Sequence, residues 1–224
     1  MTNVNLIQSR INKGFNKAAT ILGDSYNWYR PNGITNPIVT ANSLGTLSAQ
    51  FASDKALMFT QPALYRNADT WYGFTSNMAG MLPGDYLVGH LGTIFVTDIE
   101  RFVSLHCVWC NRVVTIGRAN DSVAAGAPGG YSGEAIADTQ TTVISSWPMS
   151  LRVPGNSMKS RNPKMDLPSD SLEQFYLGLL PPSVPVNINW NDVVTDDLGS
   201  RYAVNGVEIT PMGTRLTLER WPAS

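Results

Sequence analysis

Apolar residues recur every three or four positions at the start of the chain, at Val4, Ile7, Ile11, Phe15, Ala18 and Leu22. This spacing lines one face of an α-helix, so we predict an amphipathic helix over residues 1–23. Asn3 is available as its N-cap and Gly23 as its C′ residue. Gly14 in its middle costs about 1 kcal/mol relative to Ala and weakens the helix in isolation, so it needs a surface to pack on.

Leu6 and Ile21 add apolar surface outside this main stripe. We therefore expect the helix to contact two surfaces, its own domain and a neighbouring subunit. The interface residues that we predict on it are Val4, Ile7, Ile11 and Phe15. The alternative is a helix that only closes one end of a β-domain.

Beyond the helix, short runs of β-forming residues alternate with Gly, Pro, Asn and Asp. The runs are 46–53, 56–60, 70–76, 85–89, 93–99, 105–118, 141–146 and 201–220. Strands of this length and spacing are typical of a sandwich or a small barrel. The aromatic cluster at 26–29 precedes them, and we expect it to anchor the helix against the sheet. The predicted fold class is mainly β with one N-terminal amphipathic α-helix.

The C-terminal part, residues 171–224, has the clearest strand pattern. Leu216 and Leu218 alternate with Arg215 and Glu219, which is typical of a sheet packed on one side. Asn205-Gly206 is a common hairpin-turn sequence. We predict a β-meander here.

These patterns divide the chain into a helix over 1–23, a β-rich domain over 24–153, an exposed loop over 154–170 and the meander over 171–224. The meander can also belong to the same domain as 24–153. The loop carries a small basic patch, which we predict to be an interaction arm, at Lys159, Arg161 and Lys164. No internal repeat at a fixed period is visible.

The low content of charged residues indicates a protein whose surface contacts other proteins. Charged residues make up 15% of it, against about 25% in an average soluble domain. The formal net charge is −1 and no basic run occurs, which disfavours direct binding to nucleic acid or anionic lipid. The apolar stretches are too short for membrane insertion and the first residues lack a secretion signal, so we expect synthesis in the cytoplasm.

The most conspicuous candidate for chemistry is the pair Cys107 and Cys110. A structural zinc needs four ligands, and His90 and His106 are the only histidines. A redox dithiol sits at a helix N-terminus, whereas this stretch alternates like a strand. That alternation places the two cysteines on opposite faces unless a bulge intervenes, and we predict buried structural thiols.

Other catalytic patterns are weak. Asp196 and Asp197 precede Leu198-Gly199, where turn geometry alone favours aspartate. Asp98 and Glu100 share a strand face but lack the ligand spacing of a calcium loop. No nucleophile motif or phosphate-binding loop is present. We predict no catalytic residue, no metal and no cofactor, and we do not expect an enzyme.

Several stretches resemble a group of uncharacterised tailed-phage and prophage proteins. They are Tyr29-Arg30-Pro31, Pro83-Gly84-Asp85-Tyr86-Leu87-Val88-Gly89, Gly92-Thr93-Ile94-Phe95-Val96, Cys110-Asn111-Arg112-Val113-Val114 and Thr195-Asp196-Asp197-Leu198-Gly199-Ser200-Arg201-Tyr202. Together they cover most of the chain in patches.

The resemblance implies a virion component in the tail or baseplate of a contractile-tailed phage, present in ring-like multiple copies. Its partners would be other virion proteins and copies of itself. The meander also resembles the small β-barrels of head-to-tail connector proteins, which makes the neck the alternative location. A glycan-binding or cell-wall-degrading tail module is a further alternative, disfavoured because no carboxylate pair can be placed across a groove.

Overall fold

The computed structural model describes residues 3–52, 70–119, 140–153 and 175–221. One helix, α1, spans Asn3–Leu22. Twelve strands follow within the described ranges: β1 Asp24–Tyr29, β2 Ser43–Ala52, β3 Thr70–Thr75, β4 Tyr86–Gly89, β5 Gly92–Asp98, β6 Leu105–Cys110, β7 Arg112–Ala119, β8 Gln140–Arg152, β9 Phe175–Leu180, β10 Val193–Asp196, β11 Arg201–Thr210 and β12 Gly213–Arg220. The predicted fold class, mainly β with an N-terminal helix, is confirmed.

The strands form two closed antiparallel barrels. Barrel 1 has the order β1-β2-β3-β6-β5-β4, and β4 closes it by pairing with β1. Strand β2 illustrates why these residues form strands, since Leu47, Ala49 and Phe51 are buried and the residues between them are not. Gly73 leaves room for the Phe51 ring, because a Cβ at Gly73 would lie 2.5 Å from it.

Barrel 2 has the order β7-β8-β9-β12-β11-β10, and β10 closes it by pairing with β7. Leu216 and Leu218 are fully buried in it, as their alternation predicts. The predicted turn at Asn205-Gly206 is wrong, because both residues lie within β11. The register shifts there, so the extra residue forms a β-bulge instead of a hairpin turn.

The two barrels have the same topology, so the fold is an internal duplication. Each strand of barrel 1 corresponds to the strand six places later in the chain, from β1 with β7 to β6 with β12. The sequence gives no fixed period because the connections differ in length. Residues 30–42 connect β1 to β2, whereas the longer segment 120–139 connects β7 to β8.

An ion pair between a partly exposed arginine and a buried aspartate recurs at the same place in each barrel. In barrel 1, Arg30 after β1 donates two hydrogen bonds of 2.8 Å to Asp85, which directly precedes β4. In barrel 2, Arg118 in β7 donates two of 2.8 Å to Asp192, which directly precedes β10. We call these pairs the two clasps.

The surroundings of the two clasps also match. Each arginine donates a further bond to the carbonyl five residues before the aspartate, and each aspartate accepts from the backbone N–H three residues before itself. The residue before each aspartate, Gly84 or Asn191, has a positive φ. The second clasp therefore repeats the first in its backbone as well as its side chains.

The chain passes from barrel 1 to barrel 2 at Asn111. The predicted continuous strand over 105–118 is therefore wrong, since β6 and β7 are separate strands in different barrels. The Asn111 side-chain amide extends the pairing with β8 at this passage: it accepts a bond from Leu151 N and donates one to Leu151 O.

The strands β4, β5 and β6 are apolar on both faces because they line the barrel 1 core and also pack against barrel 2. Tyr86, Phe95, Val108 and Cys110 belong to the core cluster of barrel 2. Their neighbours in the sequence face barrel 1. Strands buried on two faces read as continuous apolar runs, as at 94–96.

The predicted division of the chain differs from the division between the barrels. The predicted domain 24–153 is divided between the two barrels: its strands β1 to β6 form barrel 1, whereas β7 and β8 join the strands of 171–224 in barrel 2. The predicted loop at 154–170 lies outside the described residues. The aromatic cluster at 26–29 forms part of β1, where Tyr26 and Trp28 are buried in the barrel 1 core.

Candidate interaction surface

Helix α1 is held against barrel 1 at its C-terminal end by a close approach of backbones. Ala19 is fully buried, and its carbonyl accepts a bond of 2.9 Å from Gly23 N. A Cβ at Gly23 would lie 2.4 Å from that carbonyl and 2.9 Å from the backbone of Ala49. Only glycine fits where the helix turns into β1.

The middle of α1 packs on β3 and on the β3–β4 connection. The Phe15 ring stacks on Phe74 with centroids 5.9 Å apart. The Asn16 side-chain oxygen accepts a bond of 3.1 Å from Met78 N. Phe15, which the sequence predicts as an interface residue, is half-buried and contacts the chain's own barrel.

The N-terminal half of α1 reaches the hairpin between β5 and β6. The Gln8 side-chain oxygen accepts a bond of 3.0 Å from Phe102 N. Phe102 has a φ of 66°, a strained conformation for a bulky residue. Phe102 and Val103 are both exposed. Strained backbone of this kind often accompanies a functional contact.

A second line of apolar and small residues runs along α1 beside the barrel contact. Its spacing alternates between three and four residues, which is the heptad spacing of helix packing. We call it the α1 seam, and its members are Val4, Ile7, Ile11, Gly14, Ala18 and Ile21.

The seam is uncovered toward its two ends, whereas Ile11 is half-buried and Ala18 packs against the barrel 1 core. Val4, Ile7 and Ile21 are 42%, 49% and 68% exposed. A Cβ at Gly14 would meet nothing within 4 Å. Apolar side chains in a row along one face mark a surface that another chain can cover.

Three of the four interface residues predicted on the helix belong to this seam: Val4, Ile7 and Ile11. The predicted stripe did not include Gly14 and Ile21, although the heptad spacing of the seam is present in the sequence. No sequence signal distinguishes Phe102. The predicted arm of Lys159, Arg161 and Lys164 lies outside the described residues, so it stays a prediction.

The buried carboxylates are committed to internal bonds. Asp85 accepts from Arg30, from Trp28 Nε1 at 3.0 Å and from Leu82 N at 2.9 Å. Asp196 accepts from Leu198 N and Ser200 N within its turn and from the Tyr202 hydroxyl. Donors on both oxygens fix the position of each carboxylate within the fold.

Both thiols are free and buried, as predicted. Cys107 lies in the barrel 1 core and Cys110 in the cluster of barrel 2, so they face opposite sides of β6. Burial raises the pKa of both thiols, which disfavours the reactive thiolate.

We therefore expect neither cysteine to react with a chromogenic thiol reagent at pH 8 in the native protein, and both to react at once in denaturant. Absorbance counts the thiols in each state. A Ser43→Cys variant, with its new thiol on an exposed residue, is the positive control. Rapid labelling of one native thiol in the unaltered chain would contradict the burial.

Across the described ranges, no group of three or more His, Cys, Asp or Glu side chains is arranged to hold a metal ion. In those ranges, neither α1 nor the 3-10 helix at Thr40–Asn42 is long and apolar enough to cross a membrane. No protein family, curated protein or solved structure matches the chain.

Proposed function

We propose that this protein is a structural subunit of a tailed-phage virion, a tail or baseplate component that assembles with other virion proteins and with copies of itself. The observation that carries the proposal is the exposed part of the α1 seam, where Val4, Ile7 and Ile21 lie beside the side of the helix that packs on barrel 1. Burial of such a surface is the main driving force of association.

The charge of the chain supports the same role. Only 15% of residues are charged, so little repulsion opposes the packing of copies side by side. The β5–β6 hairpin adds the exposed Phe102 and Val103 next to the helix. Aromatic residues at a protein surface are typical anchors of interfaces.

The barrels also suit a structural role. Closure removes the open sheet edges that would otherwise pair without specificity. Their shared core fixes barrel 1 relative to barrel 2, so a load on one is passed to the other. The buried acids Asp85 and Asp192 serve as structural clasps.

Immunogold electron microscopy tests the proposal. Antibodies against the purified chain are applied to tailed particles from the cells that encode it. We expect label at the tail or baseplate, whereas label at the head-to-tail junction would assign the neck instead. Particles without label, with the protein left in the particle-free fraction, would contradict a virion role.

A further inference from the structure

Basic side chains without a partner are concentrated beside the α1 seam. Arg10, Lys13 and Lys17 are exposed on the helix, and Arg101 is exposed in the β5–β6 hairpin next to it. Within the described ranges, only these four lysines and arginines have no side-chain hydrogen bond, ion pair or ring contact. The remaining arginines there bond to or stack on another residue, so the uncompensated positive charge lies at one place.

The heptad register of the seam puts two of these cations along its open edge. Val4 at position a starts a register in which the seam residues alternate between a and d. Arg10 and Lys17 then occupy position g. Gln8 and Phe15 occupy position e at the other edge, where they contact barrel 1. In packed helices, charges at e and g pair with the partner helix and set which partner is accepted.

The β5–β6 hairpin extends the apolar surface at the N-terminal end of the seam. The bond from Phe102 N to Gln8 holds this hairpin against the residue that follows Ile7 and lies one turn from Val4. Phe102 and Val103 are 42% and 40% exposed, as much as the seam residues near them. A partner along the seam would therefore reach apolar side chains of both elements.

A second copy offers no acidic surface to match these cations in the described part of the chain. Asp85, Asp192 and Asp196 are buried. The exposed and half-buried acids other than Glu100 lie next to a basic side chain or accept a hydrogen bond; they are Asp24, Asp98, Asp197, Glu208 and Glu219. Two seams could meet only along the open edge, where the cations of both copies would face each other.

The seam is also too narrow to act as a membrane-surface helix. Such a helix buries its whole apolar face at the boundary of the lipid chains. In α1 the middle of that face is partly used within the chain, since Ile11 is half-buried and Ala18 packs on barrel 1. A single helix laid along the seam needs only the row of a and d positions.

We propose that the α1 seam binds an acidic amphipathic helix of another virion protein. The apolar positions of that helix pack on the seam, and its carboxylates pair with Arg10 and Lys17. The inference rests on the proposed function, in which the chain contacts other virion proteins as well as copies of itself. It assigns the seam to the first kind of contact, so copies meet through other surfaces.

Two synthetic peptides of the length of α1 test this binding with the purified chain. Both carry leucine at the a and d positions of a heptad, and they differ in having glutamate or lysine at e and g. Repulsion between like charges keeps each peptide from pairing with itself. Fluorescence anisotropy of the labelled peptide, titrated with the unaltered protein, gives the two dissociation constants.

We expect the glutamate peptide to bind at least about tenfold more tightly than the lysine peptide, because the pairs at position g are attractive with one and repulsive with the other. The difference should shrink at about 0.5 M salt, which screens exposed charges. The flank variant, Arg10→Glu with Lys17→Glu, should prefer the lysine peptide. Lys13→Glu is the matched control, because it reverses an exposed charge of the same helix at position c, and it should still prefer glutamate.

Four results would overturn the inference. Equal binding of the two peptides, or no binding, would mean that the seam does not select an acidic helix. A preference lost as fully in Lys13→Glu as in the flank variant would mean that position g has no special role. Oligomers of the unaltered chain that Ile7→Ser disperses would mean that the seam takes a second copy. Binding to phosphatidylglycerol vesicles that Ile7→Ser abolishes would mean that it takes a membrane.

The peptide experiment uses no particles, so its outcome is separate from that of the virion role. Immunogold label on tailed particles would leave that role standing if the peptides failed to bind as expected. Peptide binding as expected, with particles that carry no label, would leave a helix-binding protein outside the virion.

Discussion

Replacement of Trp147 by alanine is expected to lower the free energy of unfolding by about 3–5 kcal/mol, the range for large aromatic residues removed from a core. Trp147 is fully buried at the junction of the barrels. Its ring meets Tyr86 edge to face with centroids 6.3 Å apart, and its Nε1 donates a bond of 3.0 Å to the Ile34 carbonyl. The truncation leaves a cavity, whereas the Ile34 carbonyl still accepts a bond of 2.9 Å from Ser145 N.

The measurement is urea denaturation followed by far-ultraviolet circular dichroism, which does not depend on the lost fluorophore. Trp190→Ala is the matched control, because that side chain is 68% exposed. Its loss should change stability by no more than about 0.5 kcal/mol. Equal losses at the two positions would mean that the junction between the barrels is not packed as described.

Removal of either clasp aspartate is the second large effect. Asp85→Ala leaves the buried Trp28 Nε1 and the Leu82 N–H without an acceptor, and each unsatisfied buried donor costs about 1–3 kcal/mol. Arg30 is partly exposed and can turn to water, so its charge adds less. We expect a loss of about 3 kcal/mol in the same denaturation experiment.

The duplication extends this prediction to the aspartate of the second clasp. Asp192→Ala should cost less, about 1–3 kcal/mol, because Asp192 holds Arg118 and the Asn189 N–H but accepts no bond like that from Trp28 Nε1. Asp24→Ala is the control, since that carboxylate is exposed and lies 3.6 Å from an exposed histidine. A large loss at Asp85 with none at Asp192 would mean that the two clasps are not equivalent.

Periodicity predicted the helix and the β-rich class, because a spacing of three or four residues and a strict alternation are unambiguous over long stretches. Alternation at Leu216 and Leu218 holds equally for a sandwich and a barrel. The choice between them depends on which strands pair, such as β1 with β4, and those residues are far apart in the chain.

The division at Asn111 and the duplication could not be predicted from the sequence for a related reason. Asparagine is common in loops, but Asn111 stands between two apolar strands without a wider break in the pattern. Its role depends on the bond with Leu151, which lies 40 positions away. The clasps are four residues at long and unequal separations. Only their shared geometry reveals the repeat.

The candidate surface was partly visible in the sequence. The stripe containing Val4, Ile7 and Ile11 predicted an apolar face, but not which part of that face barrel 1 covers. Phe15 contacts Phe74 and is used within the chain, whereas Ile21 remains exposed.

The mass of the purified, unaltered chain in solution tests most directly whether it is an assembling subunit. Light scattering over a concentration series should give masses above that of one chain that rise with concentration, and negative-stain images of the largest species should contain closed rings. A constant mass of one chain at every concentration, with no larger particle in the images, would contradict self-assembly.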